Sequence, residues 1–159
     1  MIQLTLITVG TLKEDYLREA ASEYKKRISQ FAKIDDVNLK ECPIKNEDDK
    51  SEIARALDTE AEKILAAIPD GAYKIALCVE GKQYDSPELA RVLSEASERT
   101  GKLALIIGSS HGLSDKVKRA ADLKLSVSKM TFPHQLMRVI LLEGLYRCFT
   151  ITAGKRYHK

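Results

Sequence analysis

Short apolar runs of strand length alternate along the chain with segments of helical period. This alternation limits the fold more than any other feature. Ile2 to Val9 reads as a first strand ending at Gly10. From Lys13 to about Phe31 the period changes, and Tyr16, Ala20, Tyr24 and Ile28 recur at spacing four on one helical face. Ile34 to Cys42 predicts a second strand, stopped by Pro43. Ser51 can cap a helix carrying Ile53, Leu57, Ala61, Ile64 and Ile68 on one side. Tyr73 to Val79 predicts a buried strand, and Ser86-Pro87-Glu88 opens a further helix with Ser at the cap. Leu103 to Ile107 is a continuous apolar run, the pattern of a central parallel strand. A short helix from about Ser114 leads to a last strand, Leu123 to Val127. Pro133 then starts a long helix to about Cys148. Parallel strands need crossover connections, so this order predicts one α/β domain over residues 1–159, with a mainly parallel sheet covered by helices on both faces.

Composition narrows the class. A chain of 159 residues that is 44% hydrophobic and 31% charged can bury a core without disulfides or a structural metal. No apolar stretch is long enough for a membrane span. Residues 1–10 carry no basic leader and read as a strand, not a signal peptide. Cys42, Cys78 and Cys148 are far apart and form no CxxC pair, which favours a reducing cytoplasm. His111, His134 and His158 lack metal-ligand spacing, so no metal site is expected.

Charge is unevenly distributed. Residues 1–101 hold 15 Lys and Arg against 20 Asp and Glu, whereas residues 102–159 hold 11 against 3. A basic C-terminal third on an acidic body predicts a surface that meets a polyanion. The helix from Pro133 is apolar nearly all round, from Leu136 to Phe149. Either it threads the core or its second face meets another chain, most simply through a twofold axis.

In open parallel sheets ligands bind outside the carboxyl ends of the strands. Three such ends carry suitable loops: Leu77 to Gly81, Gly108 to Gly112, and Val127 to Pro133. The second is small and glycine-flanked, so its backbone can approach a ligand closely. It is neither a dinucleotide fingerprint nor a phosphate-binding P-loop. The tail Lys155 to Lys159 gathers an aromatic ring, an imidazole and three cations, groups suited to an RNA contact.

Several of these segments carry a resemblance. Ile106 to Ser114, Leu125 to Arg138, Leu145-Tyr146-Arg147 and Tyr157-His158-Lys159 resemble the ribosomal RNA large-subunit methyltransferase H family. Ile7 to Lys13 and the Glu23-Tyr24 pair fit as well, so the likeness spans the chain. The family belongs to the SPOUT class and methylates ring nitrogen 3 of a pseudouridine. The resemblance implies a trefoil-knotted fold, a homodimer, S-adenosylmethionine as donor without a metal, and large-subunit ribosomal RNA within the ribosome as substrate. Carried over residue by residue, the donor site falls on Leu77, Gly108, Val127, Ser128, Lys129, Met130, Thr131 and Phe132. Arg147, Tyr157 and His158 are the implied catalytic candidates. Ser109 stands where relatives commonly have a second glycine, and a positive φ there would carry strain. Two rivals are a ribosome-associated RNA-binding relative that has lost catalysis and a nucleotide-binding α/β enzyme acting on a small molecule. The intact Gly108 and the Ser128 to His134 run oppose the first; the basic last third, with no acidic pair for magnesium, opposes the second.

Overall fold

The computed structural model describes residues 1–159. The chain runs β1 (Ile2–Val9), α1 (Asp15–Ile28), β2 (Ala32–Leu39), α2 (Lys50–Ala67), β3 (Tyr73–Lys82), α3 (Ser86–Thr100), β4 (Lys102–Ile107), α4 (Asp115–Ala120), β5 (Leu123–Leu125) and α5 (His134–Thr152). The strands form one sheet in the order β2-β1-β4-β3-β5. All four pairings are parallel. The predicted α/β sheet is therefore the observed one, and every strand delivers its carboxyl end to the same edge.

Side chains of the central strands alternate between two cores, as the pleat requires. Leu4 and Leu6 of β1 with Leu103, Leu105 and Ile107 of β4 face α1, α3 and α5. Ile7 and Val9 with Ile106 face α2 and α4. Both faces are thus closed by helices, which explains why β4 has no polar position after Lys102.

Several local expectations shift. The buried residues of α1 are Leu17, Ala21 and Ile28, and Tyr16 is 67% exposed. The true stripe follows a mixed three-and-four spacing, which strict spacing of four overruns by a fraction of a turn. In α2 the buried residues are Ala56, Glu60, Ala61 and Ile64, while Ile53 and Leu57 are only half-buried. The helix caps move too. Asp49, not Ser51, caps α2 by accepting from the Ser51 and Glu52 amides. Asp85, not Ser86, caps α3, in a reciprocal box with Glu88 and with Pro in the first turn. A carboxylate one or two residues upstream outcompetes the serine hydroxyl because it accepts as an anion at the positive helix end. β2 starts and ends earlier than predicted, β5 stops at Leu125, Pro133 precedes the first turn of α5 instead of lying in it, and α5 continues to Thr152.

β3 runs three residues past the predicted end because its tail bulges against β5, with both Leu77 and Lys82 opposite Leu125. Gly81 is required there, since a Cβ would sit 2.7 Å from the Lys124 and Leu125 backbone. Removing the α3 cap with Asp85→Ala should cost about 1 kcal/mol, read as a lower urea midpoint with an unchanged m-value.

Candidate active site

The three strand-end segments singled out from the sequence meet in one cleft of about 360 Å³, although Leu77 to Gly81 is not a loop but the bulged last part of β3. Leu77 to Glu80 come from the end of β3, and Ile107 to Leu113 from the end of β4. Ser126 to Ser128 and Met130 to Phe132 come from the loop after β5. His134 and Met137 close it from the start of α5, and Lys118 from α4. Of the eight residues assigned to the donor, seven line the cleft. Lys129 does not; it is exposed and points the run's only positive charge elsewhere than into the cavity.

The Gly108 loop is tightly folded. A Cβ on Gly108 would stand 2.2 Å from the Gly112 carbonyl oxygen and 3.0 Å from the Leu113 side chain. The side chain is therefore excluded by the loop's own closure, which an isolated antiparallel bridge between Ser109 and Gly112 completes. Gly112 takes the positive φ of this turn, at +88°. Ser109 does not, since no residue other than glycine has positive φ. The strain expected at Ser109 is absent. Its side chain is buried instead, and its hydroxyl donates to Glu60 Oε1 at 3.0 Å.

Polar groups are fixed around the cleft. Ser126 Oγ donates to the Ser128 carbonyl at 3.1 Å, and Ser128 Oγ accepts from the Met130 amide at 3.0 Å. These two bonds fold the run after β5 and leave Met130 68% exposed at the mouth. Lys118 Nζ pairs with Glu80, and this hydrogen bond holds the Glu80 carboxyl below its ordinary range. His134 is pushed down by burial and by the nearby Arg138 cation. Arg138 is 5% exposed and donates to the Val9 and Gly10 carbonyls at 2.8 and 2.6 Å, while its Nε has no partner. It pins the start of α5 beneath the end of β1.

A second groove of about 550 Å³ adjoins the cleft and shares Ser110 and His134 with it. Its other walls are the ends of β1 and β2, with Lys13, Lys40 and Glu41. Glu41 accepts from the Ser110 hydroxyl at 3.3 Å.

The three catalytic candidates lie elsewhere in this chain. Arg147 is thirteen residues beyond His134, about 20 Å along the helix axis. Arg147 Nε donates to Glu143 at 3.1 Å. Tyr157 donates its hydroxyl to the same carboxylate at 3.2 Å. The Tyr157 ring packs edge-on against Tyr146, with centroids 4.7 Å apart, and the Arg147 guanidinium lies 4.9 Å from its centroid. Burial and the Glu143 charge push the Tyr157 phenol up. The tail is thus docked onto α5 as far as Tyr157, while His158 is exposed. Arg147 and Tyr157 come together through Glu143, but none of the three lines the cleft of its own chain.

Sequence reasoning missed Lys118 and Met137, which line the cleft, and Glu60, which holds Ser109 from outside it. Only Glu60 carried a signal: a carboxylate four residues from both Ala56 and Ile64, on the apolar face of α2.

Residues 2–158 match the family described as predicted SPOUT methyltransferase. The chain is 42% identical over 156 residues to the ribosomal RNA large subunit methyltransferase H of Caldicellulosiruptor saccharolyticus, covering 98% of this chain and 99% of that one. It is 43% identical over 159 residues to the protein of that name from Streptococcus thermophilus, covering 99% and 100%. Among solved structures it is similar in fold to a methylase family protein of Haemophilus influenzae Rd KW20, with a TM-score of 0.55 at 15% identity over 99% of this chain and 70% of that one. A methylase family protein of Neisseria gonorrhoeae gives a TM-score of 0.54 at 18% identity, covering 98% and 85%. The fold is that of a SPOUT methyltransferase. Within that class, the chain belongs to the ribosomal RNA large subunit methyltransferase H family. No helix is long and apolar enough to cross a membrane.

Gly108→Ala should displace the loop, because the first atom added meets backbone. The expected cost is about 1–3 kcal/mol for overpacking, seen as a lower melting temperature together with faster amide exchange over residues 108–113.

Proposed function

We propose that the chain transfers a methyl group from S-adenosylmethionine to ring nitrogen 3 of a pseudouridine in large-subunit ribosomal RNA, acting as a homodimer on the assembled ribosome. The observation that carries this reading is the convergence of the end of β3 and the loops after β4 and β5 on one cleft in a member of this family. Family membership implies the trefoil knot as well.

The cleft fits the donor chemically. Leu77, Val127 and Phe132 offer apolar walls for an adenine ring, and Ser128 and Thr131 offer hydroxyls for polar parts. Gly108 brings backbone to the cavity surface without a side chain. The chemistry that S-adenosylmethionine supplies when bound is an electrophilic sulfonium methyl group. What falls to this chain is mainly orientation of the methyl and the acceptor nitrogen in line. The chain must also help remove the imide proton, or stabilise the negative charge that develops on the neighbouring carbonyls. Arg147 is a fixed cation suited to the second task, and Tyr157 and His158 are suited to positioning a base.

Dimerisation reconciles the distance between these groups and the cleft. Leu136, Ile140 and Gly144 recur at spacing four on α5, none of them buried, and a Cβ on Gly144 would meet nothing. This stripe can receive a second helix at close range. Antiparallel pairing of α5 with its copy would bring the Arg147 and Tyr157 end of one chain to the cleft end of the other. The basic last third would then flank both clefts and face RNA phosphates.

Sedimentation equilibrium at low micromolar concentration should give twice the 17.8 kDa chain mass; a single-chain mass would remove the shared site. Deleting Tyr157 to Lys159 should leave S-adenosylmethionine affinity within about twofold by calorimetry. It should lower single-turnover methylation of unmodified ribosomes by roughly a hundredfold or more, the usual range for a lost acid–base contribution. Wild-type turnover in the truncated chain would exclude the tail from the reaction.

A further inference from the structure

Glu60 is the one buried carboxylate of the molecule, 4% exposed, and nothing in the methyl transfer derived above uses it. No cation pairs with it. Burial pushes its carboxyl up, and the hydrogen bonds it accepts pull the other way. An acid left in such a place is costly unless its oxygens are occupied. Both are. Oε1 accepts from the Ser109 hydroxyl at 3.0 Å, and Oε2 accepts from the Cys42 amide at 3.2 Å.

These two donors belong to different walls. Ser109 is in the loop that lines the cleft, and Cys42 follows Lys40 and Glu41, which line the neighbouring groove. The side chain that joins them rises from α2, a helix that contributes nothing to either lining. Two further bonds run the same way. Glu41 accepts from Ser110, and Asp58, two residues before Glu60, accepts from Ser114 Oγ at 2.7 Å where the loop enters α4. The loop after β4 is thus held from outside by three carboxylates, at Ser109 and Ser110 near its beginning and at Ser114 at its end.

We infer that Glu60 is a positioning residue that locks the Ser109 loop to the Cys42 segment, so that the donor cleft and the adjoining groove keep one fixed relation. The inference rests on the donor reading of the cleft. The serine in place of a second glycine then has a role: it supplies the hydroxyl through which α2 grips the loop. A glutamine can make the same two contacts, its carbonyl accepting from Cys42 and its amide donating to the Ser109 oxygen, whereas alanine at position 109 leaves one carboxylate oxygen bare.

The test compares wild type, Ser109→Ala, Glu60→Gln and Glu60→Ala by two measurements. Amide exchange is followed at residues 108–114 and at Cys42, and S-adenosylmethionine KM and kcat are measured on unmodified ribosomes. Ser109→Ala should speed exchange across the loop and raise the donor KM about tenfold, the size of one lost hydrogen bond to a charged group. Its kcat at saturating donor should stay within twofold. Glu60→Gln should stay near wild type in both measurements, and Glu60→Ala should resemble Ser109→Ala and also free the Cys42 amide. Ser109→Ala with unchanged exchange and KM would overturn the inference. So would a Gln variant as impaired as the Ala variant, since charge and not bonded geometry would then matter. If wild type itself fails to bind S-adenosylmethionine, the donor reading falls, while the exchange rates still decide whether Glu60 locks the loop.

Discussion

β4 is hydrogen-bonded to β1 on one side and β3 on the other, all parallel, with helices packed on both faces. Parallel pairing is the constraint from which the site follows. It sends every strand out at the same edge and forces the chain to return through a helix before the next strand can begin. The end of β3 and the loops after β4 and β5 are therefore neighbours, although their residues lie up to 55 positions apart in the chain. A cleft at that edge costs no distortion of the core, because the strands end there in any case.

Loops at a sheet edge are ordinarily the loosest part of such a fold. Here they are held by buried polar groups. Arg138 fastens the start of α5 to the last carbonyls of β1, and Glu60 fastens the Gly108 loop to the segment after β2. Each is an expensive residue to bury, offset only by the bonds it makes. Gly108 completes the arrangement by letting the loop fold onto its own Gly112 carbonyl, a contact no side chain would permit.

α5 links the cleft to the groups proposed to act in catalysis. Its buried residues, Leu141, Leu142, Leu145, Cys148 and Phe149 among them, fill the core between α1 and α3. Its first turn borders the cleft, and its last turns carry Arg147 and the docked Tyr157. The Glu143–Arg147 pair is half-exposed and worth only a few tenths of a kcal/mol to the isolated helix. Its value lies in orientation: one carboxylate holds both the guanidinium and the phenol.

The order of strands and helices, the parallel class of the sheet and the three strand-end segments that line the cleft were legible in the sequence, because period and strand-end position are local or follow from rules of connection. The family was legible because its motifs lie in continuous runs. The relation between distant groups was not. Nothing local places Glu60 under Ser109, 49 residues away, or makes Arg138 a buried clamp on β1. Asp49 and Asp85 stand just upstream of serines that can also cap, and only the place where each helix begins shows that the carboxylate is the cap. Lys129 belongs to the right run but sits outside the cleft, since two serine hydrogen bonds fold that run after β5. Sequence by itself thus determined which elements form and which segments meet at the cleft. Tertiary structure decided which side chains meet, because burial and hydrogen-bond geometry depend on what the rest of the chain brings to the same place.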